Sequence, residues 1–322
     1  MIRVCITGGS GTLGYYLQRL LARQHDLDVV SLLRRDSSPV PDYPNITTVR
    51  IDFDDQPALQ QRVRDFQPHV IIHAAASGMK ESERARWLHM TAFNVQSTLG
   101  LLAAASALSG CHYIYISTGL AYRPQPKPLV ETDALDSTHP YGACKAAIDL
   151  LVRSGAESLG VPLTVFRPFS FTGLNDHTTR LFPTILHAAA SGTPAALTDG
   201  AQVRDFFAAE DVAEAILLAL RHRSGEGPPA EDGVRVYNLG SGTRLSLRQL
   251  IEKVMCDLDL HVELRFTDDP AGHATPVMRT ANTRAALDDL GWKARTNLSY
   301  AVWELARSTH PDLPIRQPRQ WL

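Results

Sequence analysis

A glycine cluster between Gly8 and Gly14 constrains this chain more than any other feature. It follows Ile2 to Thr7 (IRVCIT), a short apolar run rich in β-branched residues, and precedes Leu13, Leu17, Leu20 and Leu21, which recur at helical spacing. A strand must therefore turn sharply into a helix. Gly8, Gly11 and Gly14 have the spacing GxxGxxG. Glycine permits the tight turn and lets the backbone approach a pyrophosphate. The helix N-terminus then offers free N–H groups and a partial positive charge. The pattern predicts a dinucleotide site rather than a merely structural turn.

The same alternation continues. Val29–Leu33, Thr47–Ile51, Val70–Ala74, Tyr113–Ser117 and Leu163–Phe166 read as strands. Gln56–Phe66, a long stretch between Arg84 and Leu108, and Tyr141–Leu159 read as helices. Short, continuously apolar strands separated by helices imply a parallel sheet covered on both faces, a doubly wound α/β Rossmann fold. After Pro168 the rhythm breaks into helices at Leu181–Ser191, Asp211–His222, Ser246–Asp257 and Asn282–Leu290 with isolated strands, and Ser224 to Gly233 reads as an exposed loop. A chain of 322 residues has room for about two domains. The expected division is a dinucleotide-binding domain of residues 1–170 plus roughly 201–242. Residues 171–200 and 243–322 would form a smaller, discontinuous C-terminal substrate lobe.

Thirty-two basic against thirty-four acidic side chains leave no global field for nucleic acid or an anionic membrane surface. No apolar run reaches the roughly 18 residues of a membrane span. The chain enters its first strand directly after Met1, so no signal peptide is expected. Cys5, Cys111, Cys144 and Cys256 are far apart and without metal or redox spacing, which suits reduced thiols in the cytoplasm. The twelve histidines show no metal spacing either; His73, His139 and His177 read as packed or loop residues, and Cys144 as packing.

Two further patterns carry chemistry. The second strand ends Leu32-Leu33-Arg34-Arg35. An acid there would bind the ribose hydroxyls of NAD. Two arginines suit a 2′-phosphate instead, so NADP(H) is the expected cofactor, with NAD(H) the alternative. Tyr141 and Lys145 stand at i and i+4 near a helix start, on one face. A nearby ammonium favours the ionised phenol, which can then exchange a proton with a carbinol oxygen. Ser117-Thr118, at the end of the fifth strand, places a hydroxyl for the same oxygen.

These motifs, in this order, resemble the extended short-chain dehydrogenase/reductases, the nucleotide-sugar epimerase, dehydratase and ketoreductase group. Thr7 to Gly14 matches TGxxGxxG, and Asp52-Phe53 resembles the pair that holds adenine. His73-Ala74-Ala75-Ala76 is similar to HxAA, and Asn94 matches the NVxGT helix that supports the active site. Thr118 and Tyr122 in STGLAY, Tyr141 to Lys145 as YGACK, and Arg167-Pro168 in FRPFSFTG match the catalytic and nicotinamide segments; Cys144 and Ser170 replace the usual Ser and Asn. The resemblance implies a cofactor held by Gly8, Ser10, Gly11, Thr12, Leu13, Gly14, Arg34, Arg35, Asp52, Phe53, Ala74, Ala75, Ala76, Asn94, Ser117, Tyr141, Lys145, Pro168 and Ser170. It implies Thr118, Tyr141 and Lys145 as catalytic residues, with Thr118 and Arg204 facing the substrate; Arg204-Asp205-Phe206 resembles a segment whose Arg contacts a substrate pyrophosphate. Tyr237-Asn238-Leu239-Gly240 ahead of Ser246 resembles YNxGxGxxxS.

Two departures refine the reading. Gly119-Leu120 stand where the 4,6-dehydratases of this group carry the Asp-Glu pair that drives elimination. No second phosphate-binding Arg is clear in Asp269 to His273; either Arg279 compensates or the diphosphate is held less tightly. The expected activity is NADP-dependent reduction of a keto group on a nucleotide-linked 4-keto-6-deoxysugar by a homodimer. The alternatives are a nucleotide-sugar C4 epimerase, a reductase of a non-sugar ketone, and an NADP-binding protein without turnover.

Overall fold

The structure, a computed structural model, describes residues 1–78, 84–137, 139–221, 233–267 and 278–322, with the side chains of 84–86 set aside. The loop expected from Ser224 and the segment from Asp269 to His273 lie outside these residues. The first half runs β1 (Ile2–Thr7), α1 (Thr12–Leu21), β2 (Leu27–Arg34), β3 (Ile46–Ile51), α2 (Gln56–Phe66), β4 (Val70–His73), α3 (Arg84–Ser106), β5 (His112–Ile116), a 3₁₀ turn (Gly119–Ala121), α4 (Pro140–Leu159) and β6 (Leu163–Pro168). The second half runs β7 (Ser170–Thr172), α5 (Leu181–Ser191), β8 (Ala195–Leu197), β9 (Val203–Arg204), β10 (Phe206–Ala208), α6 (Ala209–Arg221), β11 (Val234–Leu239), α7 (Leu247–Leu258), β12 (Leu264–Phe266), β13 (Met278–Arg279), α8 (Arg284–Leu290) and α9 (Leu298–Thr309).

The seven-stranded sheet has the order β3-β2-β1-β4-β5-β6-β11, and every pairing in it is parallel. Its strand order reverses between β1 and β4, where a doubly wound sheet opens a crevice at the carboxyl ends of its strands. One face buries Ile6, Ile72 and Phe166 beneath α1 and α6; the other buries Val30, Ile71 and Tyr113 against α2, α3 and α4. A third core joins Phe182 and Leu186 to Ile251, Val254, Val302 and Leu305. No described helix is long and apolar enough to cross a membrane.

The boundary expected after residue 242 does not separate these cores. Strand β11 completes the central sheet, but α8 packs on β11 and α6, and Trp292 is buried in the sheet's own core. Its indole N–H donates to the Asp211 carbonyl at 2.9 Å. A Trp side chain buries more apolar area than most, so this segment returns to the sheet instead of staying with the smaller lobe. Helix α9 was not among the expected elements, although Ala301, Val302, Leu305 and Ala306 share one buried face. Strands β7 to β10, β12 and β13 have two or three residues each, too few for a period to show.

Candidate active site

A cleft of about 1200 Å³ runs along the carboxyl ends of β1, β4, β5 and β6 and is closed by residues of α5, β9 and β13. At one end lies the glycine loop. Gly8 has φ +81° and its carbonyl accepts from Gly11 N at 3.1 Å. A Cβ on Gly14 would stand 2.1 Å from the Gly8 oxygen, so only glycine lets α1 approach β1 so closely. No side chain caps α1, whose N-cap is Gly11, and Gly8, Gly11, Thr12, Leu13 and Gly14 line the cleft. A cradle of backbone N–H groups at a helix N-terminus fits a dinucleotide pyrophosphate.

Arg34 lines the neighbouring wall, but so does Asp36, 3.6 Å from the Arg34 guanidinium. Arg34 also rests 5.8 Å over the Phe93 ring, against which Phe53 is buried. Arg35 is not among the lining residues; its carbonyl accepts from Arg50 at 3.0 Å. Ser10, Asp52, Phe53, Ala75 and Asn94 do not line the cleft either, whereas Ala74, Ala76, Ser117, Pro168 and Ser170 do. Ala75 N donates to Thr7 Oγ1 at 3.2 Å, and Asp52 accepts from Asp54 N at 3.0 Å. Asn94 acts at one remove: its amide accepts from Ser77 N at 2.8 Å and donates to Ser77 O at 2.9 Å, fixing the loop after β4. His73, buried below that loop, bonds Thr7 at 2.8 Å and Thr98 at 3.1 Å, and burial holds it neutral, pulled down to about 3.

The cleft brings Thr118, Tyr141 and Lys145 together. Pro140 opens α4, and His139 caps it by accepting from Gly142 N at 3.4 Å. Gly142 packs against the 3₁₀ turn, with the Leu120 oxygen 2.3 Å from where its Cβ would be. Thr118 caps that turn by accepting from Leu120 N at 3.2 Å. Lys145 Nζ donates to the Ile116 carbonyl at 2.6 Å and sits 4.3 Å over the Tyr115 ring. Burial pulls Lys145 down to about 7. Burial pushes Tyr141 up to about 12, the neighbouring Cys144 adding to the rise and the Arg180 charge opposing it. Tyr141 thus stands as a protonated phenol at neutral pH. The Ser117 hydroxyl, buried in the same wall, has no partner among the described residues.

At the far end Arg204 and Arg279 are register neighbours across β9 and β13, and both line the cleft. Arg204 donates to Gln202 at 2.7 Å, while Arg279 Nε is buried without a partner among the described residues. Burial lowers both, and the charge of Arg204 helps to hold Arg279 at about 10. Behind them, buried Asp205 accepts from Ser241 N, Ser241 Oγ, Gly242 N and Ala281 N at 2.6–3.0 Å, which ties β13 to β9. Arg180 lines the same end and was missed in the sequence; its one signal there is a carboxylate four residues earlier, Asp176. His139 and His177, expected as loop or packing residues, border the cleft.

Arg167 faces away from it. Its guanidinium is buried against Asp149 at 2.7 and 2.9 Å and donates to Tyr122 Oη at 2.6 Å and the Glu131 carbonyl at 2.8 Å. Tyr122 in turn donates to Asn238 at 2.7 Å, so α4, the 3₁₀ turn, β6 and β11 share one polar knot. Gly119 lies beneath Phe169, whose ring would be 2.7 Å from an added Cβ. The described residues include no cluster of three or more His, Cys, Asp or Glu side chains arranged for a metal ion.

A parallel Rossmann sheet with a glycine-loop cradle and a Tyr-Lys-Thr group in one cleft defines a nicotinamide-dinucleotide enzyme. The profile of the NAD-dependent epimerase/dehydratase family matches residues 4–240, and the chain belongs to that family. It is 31% identical over 300 residues to the low-salt glycan biosynthesis protein Agl12 of Haloferax volcanii, covering 90% of this chain and 93% of that one. It is 25% identical over 313 residues to the UDP-glucose 4-epimerase of Lactobacillus helveticus, covering 91% and 92%. Among solved structures, UDP-glucose 4-epimerase of Thermotoga maritima with UDP-glucose superposes with a TM-score of 0.84 at 20% identity, over 97% of this chain and 100% of that one. The enzyme of that name from Brucella ovis, solved with NAD, gives 0.83 at 23%, over 98% and 99%.

Proposed function

We propose that this enzyme is a nucleotide-sugar C4 epimerase that keeps NAD(H) bound throughout its cycle. The observation that carries the reading is the layout of the cleft: proton-transfer group at its centre, dinucleotide cradle at one end, and the Arg204–Arg279 pair at the other. Gly8, Gly11 and Gly14 would hold the dinucleotide, which when bound would supply a reversible hydride acceptor for the sugar C4. Tyr141 exchanges the proton of the 4-hydroxyl, Thr118 orients that oxygen, and Lys145, pulled down to about 7, favours the phenolate when the lysine is protonated. The arginine pair holds the diphosphate, so the sugar can turn between the two transfers without leaving. An elimination acid has no room at Gly119, which counts against a dehydratase. The Asp36 carboxylate beside Arg34 suits ribose hydroxyls and opposes a 2′-phosphate, and UDP-glucose 4-epimerases among the relatives favour the same assignment.

The test is incubation of the purified protein with UDP-glucose without added cofactor, with product analysis and a mass spectrum of the released nucleotide. UDP-galactose and retained NAD are expected. The second reading, NADP-dependent reduction of a 4-keto-6-deoxysugar, draws on Arg34 in the cleft wall. Stoichiometric consumption of NADPH by a keto-sugar nucleotide, with no epimerisation, would establish it instead. We further infer a homodimer through α3 and α4, which expose Trp87, Leu88, Leu150 and Leu151; sedimentation at the monomer mass would overturn this. We infer a cytoplasmic location from the four dispersed free cysteines, Cys5, Cys111, Cys144 and Cys256.

A further inference from the structure

Helix α4 carries Tyr141, Lys145, Asp149 and Arg153 at successive steps of four residues. Such steps set side chains one above another along a helix, about 5–6 Å apart at Cβ. A phenol, an ammonium, a carboxylate and a guanidinium thus form one stripe. It starts in the cleft, which Tyr141 and Lys145 line, passes inward to the fully buried Asp149, and ends at the partly exposed Arg153. Arg167 of β6 donates to Asp149 Oδ1 at 2.7 Å and to Oδ2 at 2.9 Å, and Arg153 donates to Oδ1 at 3.0 Å. The forked contact from Arg167 is the bidentate geometry of an ionised carboxylate.

Lys145 is sensitive to such a charge. Its Nζ is spent on the Ile116 carbonyl and the face of the Tyr115 ring, and burial pulls it down to about 7. An ammonium so balanced at neutral pH is kept or lost by one neighbouring charge. The titratable groups around it are Tyr141, Cys144 and Asp149 from its own helix, His73 from β4 and Tyr115 from β5. Burial keeps His73 neutral and pushes the Cys144 thiol and both phenols up, so these four carry no charge at neutral pH. The Arg167 charge is engaged by Asp149 and Tyr122. We propose that Asp149 is the counter-charge of Lys145: fixed by Arg167 and Arg153 one turn along α4, it keeps the ammonium protonated where the enzyme works, and so able to favour the Tyr141 phenolate. Asp149 touches neither substrate nor cofactor and is a positioning residue, acting through Lys145. Its effect on turnover rests on the role given to Lys145 above; the coupling of the two charges does not.

The chain has only five lysines, so the coupling can be read directly. The purified protein, with whatever nucleotide it retains, is labelled with 13Cε-lysine, and the Lys145 resonance is the one missing from Lys145→Met. Its titration is followed from about pH 5 to 9 in wild type and three variants. Asp149→Asn removes the charge. Asp149→Leu with Arg167→Met replaces the whole buried pair and leaves neither charge alone, so it reads the coupling even where the single variant fails to fold. Asp149→Glu keeps the charge. Loss of an opposite charge at this range predicts a Lys145 proton held roughly 10- to 100-fold more weakly in both charge-removing variants, and within about twofold of wild type in Asp149→Glu. The alkaline limb of kcat against pH, measured with UDP-glucose, should move down with it. A merely structural role would lower the melting temperature, and kcat at every pH, and leave the Lys145 midpoint in place. An unmoved midpoint in the double variant overturns the proposal. A moved midpoint in a protein that does not epimerise UDP-glucose upholds the counter-charge and overturns only the proposed function.

Discussion

Lys145 is buried and Tyr141, one helical turn away, is partly buried, and desolvation moves them in opposite directions: the phenol rises to about 12 and the ammonium falls to about 7. The phenol therefore holds its proton until substrate and cofactor charge draw on it. Tyr141→Phe keeps the ring and removes the donor, and turnover should fall by about 10²- to 10⁴-fold with nicotinamide content unchanged. An assay beside a cofactor mass spectrum checks this; near-normal turnover would remove Tyr141 from the mechanism. Lys145→Met should also abolish turnover but should not lower the melting temperature at neutral pH, since the desolvated ammonium is gone. The pH dependence has a definite sign. Between about pH 7 and 10.5 the unfolded chain holds the lysine proton and the folded one does not. The wild type should therefore gain stability relative to Lys145→Met as the pH rises through that window. Paired thermal melts at pH 7 and 9 measure it.

At the scale of elements, the turn from β1 into α1 separates two demands on glycine. A Cβ at position 14 would meet the Gly8 carbonyl and the Gly9 backbone at 2.1–2.7 Å, whereas one at position 11 would meet only the Gly8 oxygen at 3.5 Å. Gly14→Ala should therefore force the helix off the strand, costing about 1–3 kcal/mol and the cofactor together. Gly11→Ala should keep the wild-type melting temperature and lose only nicotinamide affinity, because it obstructs the approach of the pyrophosphate and not the fold. Equal melting temperatures for the two variants would show that position 14 is not the packing contact. Helix α4 shows the same economy: Gly142 brings the helix against the 3₁₀ turn, so Tyr141 and Thr118 meet across it.

Over the whole molecule, the proposed substrate end of the cleft is assembled from strands far apart in sequence. Asp205 holds four donors from residues 241, 242 and 281, and through them sets Arg279 beside Arg204. Asp205→Ala would leave those donors unsatisfied at about 1–3 kcal/mol for each one that stays buried. A markedly lower melting temperature is expected, with KM for the sugar nucleotide raised more than kcat is lowered. An unchanged KM in the folded variant would show that the two arginines do not act as a pair.

The local motifs were legible because each is a short-range necessity. A tight turn needs Gly8, a close helix needs Gly14, and a helix places Tyr141 and Lys145 on one face at a spacing of four. Period and composition likewise announced the parallel sheet, since strands buried on both faces have no polar side to show. Other outcomes turned on distance in sequence. Arg34 and Arg35 read alike as a basic turn, yet only Arg34 reaches the cleft, and it arrives with Asp36 beside it. Asn94 matches a helix motif, and what its amide holds is the Ser77 backbone, a partner no local pattern names. The return of Trp292 to the sheet, the register of Arg279 with Arg204, and the pairing of Asp149 with Arg167 are long-range contacts. Such contacts leave no period in the chain, because a side chain's charge and reach are set by what folding packs around it.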